Sequence, residues 1–182
     1  MAIPGQNIRE ECRPDPGRTE RRTACCSPVK LREERVRVIQ HSSLKLRLQL
    51  RVSDLQALLD RDSFWARGRR IQDLRRMLTG SQAVVSAWHG SDLVGFGRAT
   101  SDGVYRAVLW DVVVAAEHQG QGLGSELVAR LLINRNVARV ERVYLMTTNS
   151  AGFYTKLNFH ENHGQKLMIR DEAYSRIVNR EP

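Results

Sequence analysis

The sequence predicts an α/β chain of the α+β kind, with a central mixed, mostly antiparallel sheet flanked by helices. Three observations predict it. Apolar stretches of strand length are separated by short polar turns, the pattern of antiparallel hairpins. The longest of these stretches passes through a glycine-rich loop into an amphipathic helix. A further strand and helix follow, and strand–helix–strand–helix after hairpins implies a mixed sheet.

In chain order, Leu44, Leu46, Leu48 and Leu50 alternate with Lys45, Arg47, Gln49 and Arg51, the period of a half-buried strand. Ser53 is suited to cap a short helix through Leu55, Leu58 and Leu59, with Asp54 in its first turn. Ile71, Leu74, Met77 and Leu78, spaced three and four apart, predict a second helix stopped near Gly80. Ala83–Trp88, the turn His89-Gly90-Ser91-Asp92 and Leu93–Ala99 predict a hairpin. Ser101-Asp102-Gly103 turns the chain into a strand over Val104–Val114, whose run Val108–Val114 reads as buried on both faces. A helix with the stripe Leu123, Leu127, Val128, Leu131 and Leu132 comes next, then a strand at Val143–Met146. Asn149 is placed to cap a helix carrying Phe153 and Leu157. A last hairpin, Phe159–Glu161 and Gln165–Arg170 around Asn162-His163-Gly164, closes the domain.

The 182 residues suit one domain, and 41% apolar content is enough for a core. Four of the five prolines fall in the first 28 residues, where charges mix without apolar period. Residues 1–34 are therefore expected to be a flexible extension, 35–175 the folded domain and 176–182 a C-terminal tail. No apolar stretch follows the basic residues as a secretory signal requires. Glu10, Glu11, Asp15, Glu20, Glu33 and Glu34 are too many acids for a transit peptide. A cytoplasmic location is expected, and a plastid one only if the extension is such a peptide. No run of ~18 apolar residues exists to make a membrane span.

The formal charge is +9, but residues 1–52 carry 12 basic and 6 acidic groups while 53–182 carry 17 and 14, so the core is only mildly positive. Cys12, Cys25 and Cys26 are the only cysteines. A core disulfide framework, a Cys-rich zinc site and a core thiol nucleophile are thereby excluded.

The functional centre is the junction after Val114, Gln119-Gly120-Gln121-Gly122-Leu123-Gly124, which opens a helix. Glycines at alternate positions let backbone N–H groups approach an anion, and the helix N-terminus adds partial positive charge. A tight turn needs fewer glycines. A dinucleotide fingerprint fails, because Ser125 or Leu127 stands where it needs a third small residue. A nucleoside-triphosphate loop fails for want of Gly-Lys-Ser/Thr. A pyrophosphate held by backbone amides remains.

Gln119-x-x-Gly122-x-Gly124 after an apolar strand resembles the acyl-CoA loop of the GNAT superfamily of N-acetyltransferases, and Phe153-Tyr154-x-x-Leu157-x-Phe159 resembles its second cofactor motif. The likeness covers about residues 45–170. Trp110–Val114 running into His118–Gly124 is similar to a cyanobacterial and chloroplast group that includes serotonin N-acetyltransferases. Asn158 stands where the superfamily usually has Gly, and Asn tolerates a left-handed backbone.

The resemblance implies a GNAT-like sheet, acetyl-CoA as co-substrate without a metal, and a primary amine as acceptor, a small arylalkylamine such as serotonin or tryptamine. It implies that Val112, Val113 and Val114 hold the pantetheine arm and the thioester carbonyl. Gln119, Gly120, Gln121, Gly122, Leu123, Gly124 and Ser125 then cradle the pyrophosphate, with Asn149, Phe153 and Tyr154 completing the cofactor site. Tyr154 matches the position that protonates the leaving thiolate, and a phenol with a pKa of ~10 is a suitable donor. Trp110, Asp111 and Thr148 are expected at the acceptor. Thr148 lies in the loop Thr147-Thr148-Asn149, where plant members carry an acid.

Asp111 interrupts an apolar run, where a carboxylate is costly unless it is paired or solvated. It is either a catalytic group that binds the amine or takes its proton, or a structural Asp satisfied by its neighbours. Without a core cysteine, direct attack by the amine is the economical route. Competing expectations are acetylation of a protein lysine or N-terminus and, from another class, a nucleic-acid-binding module. For the module, Arg67, Arg69, Arg70, Arg75 and Arg76 form the only dense core cluster, which reads as a solvated helix face without interleaved aromatics. His89, His118, His160 and His163 lack metal-ligand spacing. Members of the superfamily are often dimers, so a homodimer is the assembly implied.

Overall fold

The computed structural model describes residues 35–170. The expected extension 1–34 and tail 176–182 lie outside them. Five strands form one sheet in sequence order: β1 Arg37–Gln40, β2 Ala83–His89, β3 Asp92–Ser101, β4 Arg106–Val114 and β5 Arg142–Leu145. The first four pair antiparallel and β4–β5 is parallel, so the sheet is mixed as expected. The helices are α1 Leu44–Leu48, α2 Val52–Asp62, α3 Ile71–Gly80, α4 Leu123–Leu132 and α5 Ala151–Thr155. None of the described helices is long and apolar enough to cross a membrane.

Both faces of the sheet are covered. A Cβ on Gly95 or Gly97 would meet Leu127 or Leu131, so these β3 positions turn toward α4. Phe96, between them, points the other way by strand alternation and is fully buried, on the side that α2 closes against β3 and β4. Leu123, Leu127, Val128 and Leu131 of α4 and Leu55, Leu58 and Leu59 of α2 supply the helical halves of the core.

Four local expectations need correction. Leu44–Leu50 is not a strand but contains α1, whose first turn is capped by Ser43 Oγ accepting from Leu46 N. The slot beside β2 is filled by the upstream Arg37–Gln40, and His41 N extends the pairing to Val84 O, so Leu44–Leu50 has no strand partner left. Ser53 lies inside α2, which starts from Arg51 without a side-chain cap. At α5 the capping position is Ser150, not Asn149, and Ser150 N donates to Thr147 Oγ1 instead. The closing hairpin is absent: 159–170 contains no strand, and only the turn forms, with Gly164 N donating to Asn162 Oδ1.

Candidate active site

The strand β4 changes character midway. Its pairing with β5 ends at Leu109↔Leu145, and its register with β3 shifts between Arg98↔Trp110 and Phe96↔Val113. Two residues, Asp111 and Val112, therefore oppose Gly97, which defines a β-bulge. Asp111 adopts φ 50, a left-handed conformation that Asp tolerates better than most residues. The bulge resets the alternation: Val112 joins the α4 face, its Cγ2 3.6 Å from where a Gly97 Cβ would stand. The expectation that Val108–Val114 is buried on both faces holds for Leu109 and Val113; Val108, Trp110, Val112 and Val114 are half-buried, and Asp111 buries its side chain while its backbone stays partly open.

Beyond Leu109 no strand covers that edge of β4. Ala115 N bonds back to Val94 O, so by alternation the N–H and C=O groups of Val112 and Val114 turn toward the open fork. Val114 O accepts from Gln119 Nε2 at 2.9 Å, making Gln119 a brace between strand and loop.

The loop then crosses a 3₁₀ turn, Ala116–His118, and reaches Gly120 and Gly122, with φ of 74 and 84. These are left-handed angles that residues without a Cβ adopt most readily. Gln119 N bonds to Ala116 O and Glu126 N to Gly122 O, but among the described residues nothing accepts from the six N–H groups of Gly120 to Ser125. Open space surrounds Gly120 and Gly122. Six unpaired donors therefore lie at and just before the N-terminus of a ten-residue helix, where partial positive charge gathers. Ser125 is half-buried in its first turn.

On the opposite bank, α5 sets Phe153 against the loop helix, its ring 3.3 Å from a Cβ built on Gly124. Tyr154 is stacked edge-on between Phe153 and Phe159, with centroids 4.8 and 5.9 Å away. Asn158 takes φ 65 at the end of this segment, and Phe159 N closes back on Tyr154 O. Burial pushes the Tyr154 phenol above its ordinary value, so it stays protonated at neutral pH. Its hydroxyl has no hydrogen-bond partner among the described residues, and Tyr154 lines an open groove of about 920 Å³ with Val108, Met146 and Thr148. Asn149 is exposed just outside this groove.

Asp111 is committed. Its side chain is 4% exposed, with Oδ2 2.7 Å from Arg98 Nε and Oδ1 3.1 Å from Arg69 Nη1. Burial alone would raise this carboxyl, but Arg98 and then Arg69, by charge and hydrogen bond, hold it below the usual range. Trp110 donates its indole N–H to Thr100 Oγ1 at 2.8 Å, and the Arg98 guanidinium lies 5.6 Å over its ring. Arg69 corrects the expectation of a solvated helix face, since it lies in the loop before α3 and reaches β4. Sequence reasoning missed both arginines; the signal was an unpaired acid in an apolar strand, which demands a cation that spacing cannot locate.

Sequence reasoning also missed His41, which is buried. Its Nδ1 lies 3.1 Å from Leu46 O and its Nε2 2.8 Å from Ser86 Oγ, which also accepts from Trp88 Nε1. Because Leu46 O can only accept, Nδ1 carries a proton and donates to it, leaving Nε2 to face the Ser86 hydroxyl. Among the described residues no group of three His, Cys, Asp or Glu is arranged to hold a metal ion.

The acetyltransferase (GNAT) family profile matches residues 52–159. Over 122 residues the chain is 36% identical to a histone acetyltransferase of Glycine max, covering 59% of this chain and 51% of that protein. Over 96 residues it is 38% identical to a chloroplastic serotonin N-acetyltransferase of Oryza sativa subsp. japonica, covering 50% and 48%. The chain thus spans about half the length of these curated relatives. A solved GNAT-family protein of Xanthomonas campestris pv. campestris superposes with a TM-score of 0.64 at 25% identity, covering 74% of this chain and 93% of that one.

Proposed function

The chain belongs to the GNAT family of acetyltransferases, and from that premise we propose that it transfers an acetyl group from acetyl-CoA to the primary amine of a small aryl-bearing molecule. One observation carries the reading: six unpaired N–H groups from Gly120 to Ser125 and the unpartnered hydroxyl of Tyr154 flank one open fork between β4 and β5. The loop is chemically suited to a pyrophosphate, which needs donors rather than a metal. The outward N–H groups of Val112 and Val114 are suited to a pantetheine arm entering the fork, and that of Val112 to the thioester oxygen. Phe153 and the exposed Asn149 border the same course, whereas Val113, expected there too, is buried in the core and pairs with Phe96 of β3.

The reaction then balances without an acyl-enzyme. The amine lone pair attacks the thioester carbon and forms the C–N bond. The C–S bond breaks, the sulfur takes the Tyr154 proton, and the ammonium proton is lost to water. Trp110 offers an aromatic face for the acceptor, and Thr148 a hydroxyl at the groove.

A second reading, acetylation of a lysine or N-terminus of a protein, draws on the open form of the groove, whose lining runs on to Phe159–Asn162 and Gln165–Leu167. Thermal shift with acetyl-CoA, CoA and ATP tests the first premise: a rise of Tm with both CoA species is expected, and no shift with either sinks it. A panel of tryptamine, serotonin, polyamines and lysine peptides separates the two acceptors.

A further inference from the structure

Trp110 is the first β4 residue beyond the last β4–β5 pair, and it shares a strand face with Val108, which lines the groove beside Tyr154. Trp110 does not itself line the groove, but an acceptor that extends from Val108 along β4 past its last paired residue reaches the groups around Trp110. If those groups were anionic, a protonated amine would be drawn in; they are the reverse. Both oxygens of Asp111 are taken, and its side chain is withdrawn from solvent. One carboxylate against Arg98 and Arg69 leaves a net charge of +1.

The two arginines are not saturated. Arg98 meets Asp111 through Nε while its guanidinium lies over the Trp110 ring, and Arg69 meets Asp111 through Nη1, which also reaches Met77 Sδ at 3.9 Å. Among the described residues Asp111 is the only acceptor residue for Arg98, and Asp111 and Met77 are the only ones for Arg69, so one carboxylate serves two five-donor guanidinium groups. The Arg98 and Arg69 side chains remain 14% and 34% exposed. A guanidinium fixed at one edge and open at the other is pre-oriented for a planar bidentate anion.

Resting on the acetyltransferase reading above, we propose that the acceptor carries a carboxylate as well as its amine, bound by the free edges of Arg98 and Arg69 while its aryl or apolar part lies against Trp110. A single uncompensated positive charge matches a carboxylate better than a dianionic phosphate. The substrate class is an aromatic amino acid or an acidic aryl amine, not its decarboxylated counterpart.

Matched pairs test this. Binding of tryptophan against tryptamine, and of indole-3-propionate against 3-ethylindole, is measured by calorimetry on the full chain in the presence of CoA. Rates of CoA release are measured for the two amine-bearing acceptors. The acid member of each pair is expected to bind ~10-fold or more tightly, and tryptophan to exceed tryptamine in kcat/KM by a similar factor. In Arg98→Lys, which keeps the charge but loses the planar fork, and in the more exposed Arg69→Gln, the ratio of acid to amine is expected to fall several-fold. Tighter binding of tryptamine, absence of binding by both acids, or a ratio unmoved in both variants overturns the proposal. A chain that binds acetyl-CoA yet favours the decarboxylated amines defeats this inference alone; a chain that binds no CoA species defeats the reading beneath it.

Discussion

Gly124 and Phe153 touch only because position 124 lacks a side chain: a Cβ there would stand 3.3 Å from Cζ of the ring. The first turn of α4 and the segment presenting Tyr154 are therefore set against each other by one missing methyl. Gly124→Ala favours the helix by up to ~1 kcal/mol through propensity while displacing the ring. Thermal stability is expected to stay near wild type while KM for acetyl-CoA rises about tenfold. An unchanged KM would show that the contact does not set the loop.

Gly95→Ala acts differently. Its Cβ would lie 3.0 Å from Ala87 Cβ, which only a backbone shift relieves, and 3.1 Å from Leu127 Cδ1. Overpacking of this kind costs about 1–3 kcal/mol. Urea denaturation is expected to show that loss, with kcat/KM per folded molecule close to wild type.

Tyr154→Phe removes a hydroxyl and little else. If the phenol protonates the departing thiolate, kcat falls about 10²–10⁴-fold while acetyl-CoA affinity is retained. Because burial raises its pKa, the acid form persists past neutrality, and the wild-type rate should decline from this group only above pH ~10. A kcat within twofold of wild type would remove Tyr154 from the chemistry.

Asp111→Asn keeps a residue that tolerates φ 50 but deletes the charge facing two arginines. Because both of its oxygens are engaged, a loss in kcat/KM is expected to come through the displaced arginines with acetyl-CoA binding kept, and unchanged turnover would show that this charge cluster does not position the acceptor. Stability is expected to fall by about 3–5 kcal/mol, as when one partner of a buried pair is lost. Asp111→Ala adds left-handed strain of about 1–2 kcal/mol. The folded pKa lies below the unfolded value, so the stabilisation is complete above pH ~3.9 and is lost as pH falls through the folded value. Acid titration of unfolding should show this limb in wild type and not in Asp111→Asn.

His41 has the opposite reach on the pH axis. Burial, aided by the nearby Arg47 charge, lowers its pKa despite the bond to Leu46 O. The unfolded chain then binds the proton first. Stability is complete above pH ~6.5 and declines as pH falls from there toward the folded value. His41→Gln is expected to flatten that decline in pH-dependent denaturation; an identical slope would show that His41 does not titrate with unfolding.

The parts legible in the sequence were those whose cause is local. Alternation and turn chemistry placed β2, β3 and most of β4, and a three-four stripe placed α3 and α4. The glycines at 120 and 122 announced a left-handed loop because no other residue takes those angles freely. Leu44–Leu50 failed because an alternating run is a strand only if an edge is vacant for it, and Arg37–Gln40 had taken the edge of β2. The hairpin at 159–170 failed in the same way, for strand-like residues do not make a strand without a partner.

By itself, then, the sequence determined the order of elements from α2 to α5 and the glycine loop with its likeness to an acyl-CoA site, all properties of contiguous residues. Tertiary structure alone decided the charge beside Trp110. Arg69, Arg98 and Asp111 come from a loop and two strands, and electrostatic sign at a point is a sum over neighbours in space that spacing along the chain does not contain.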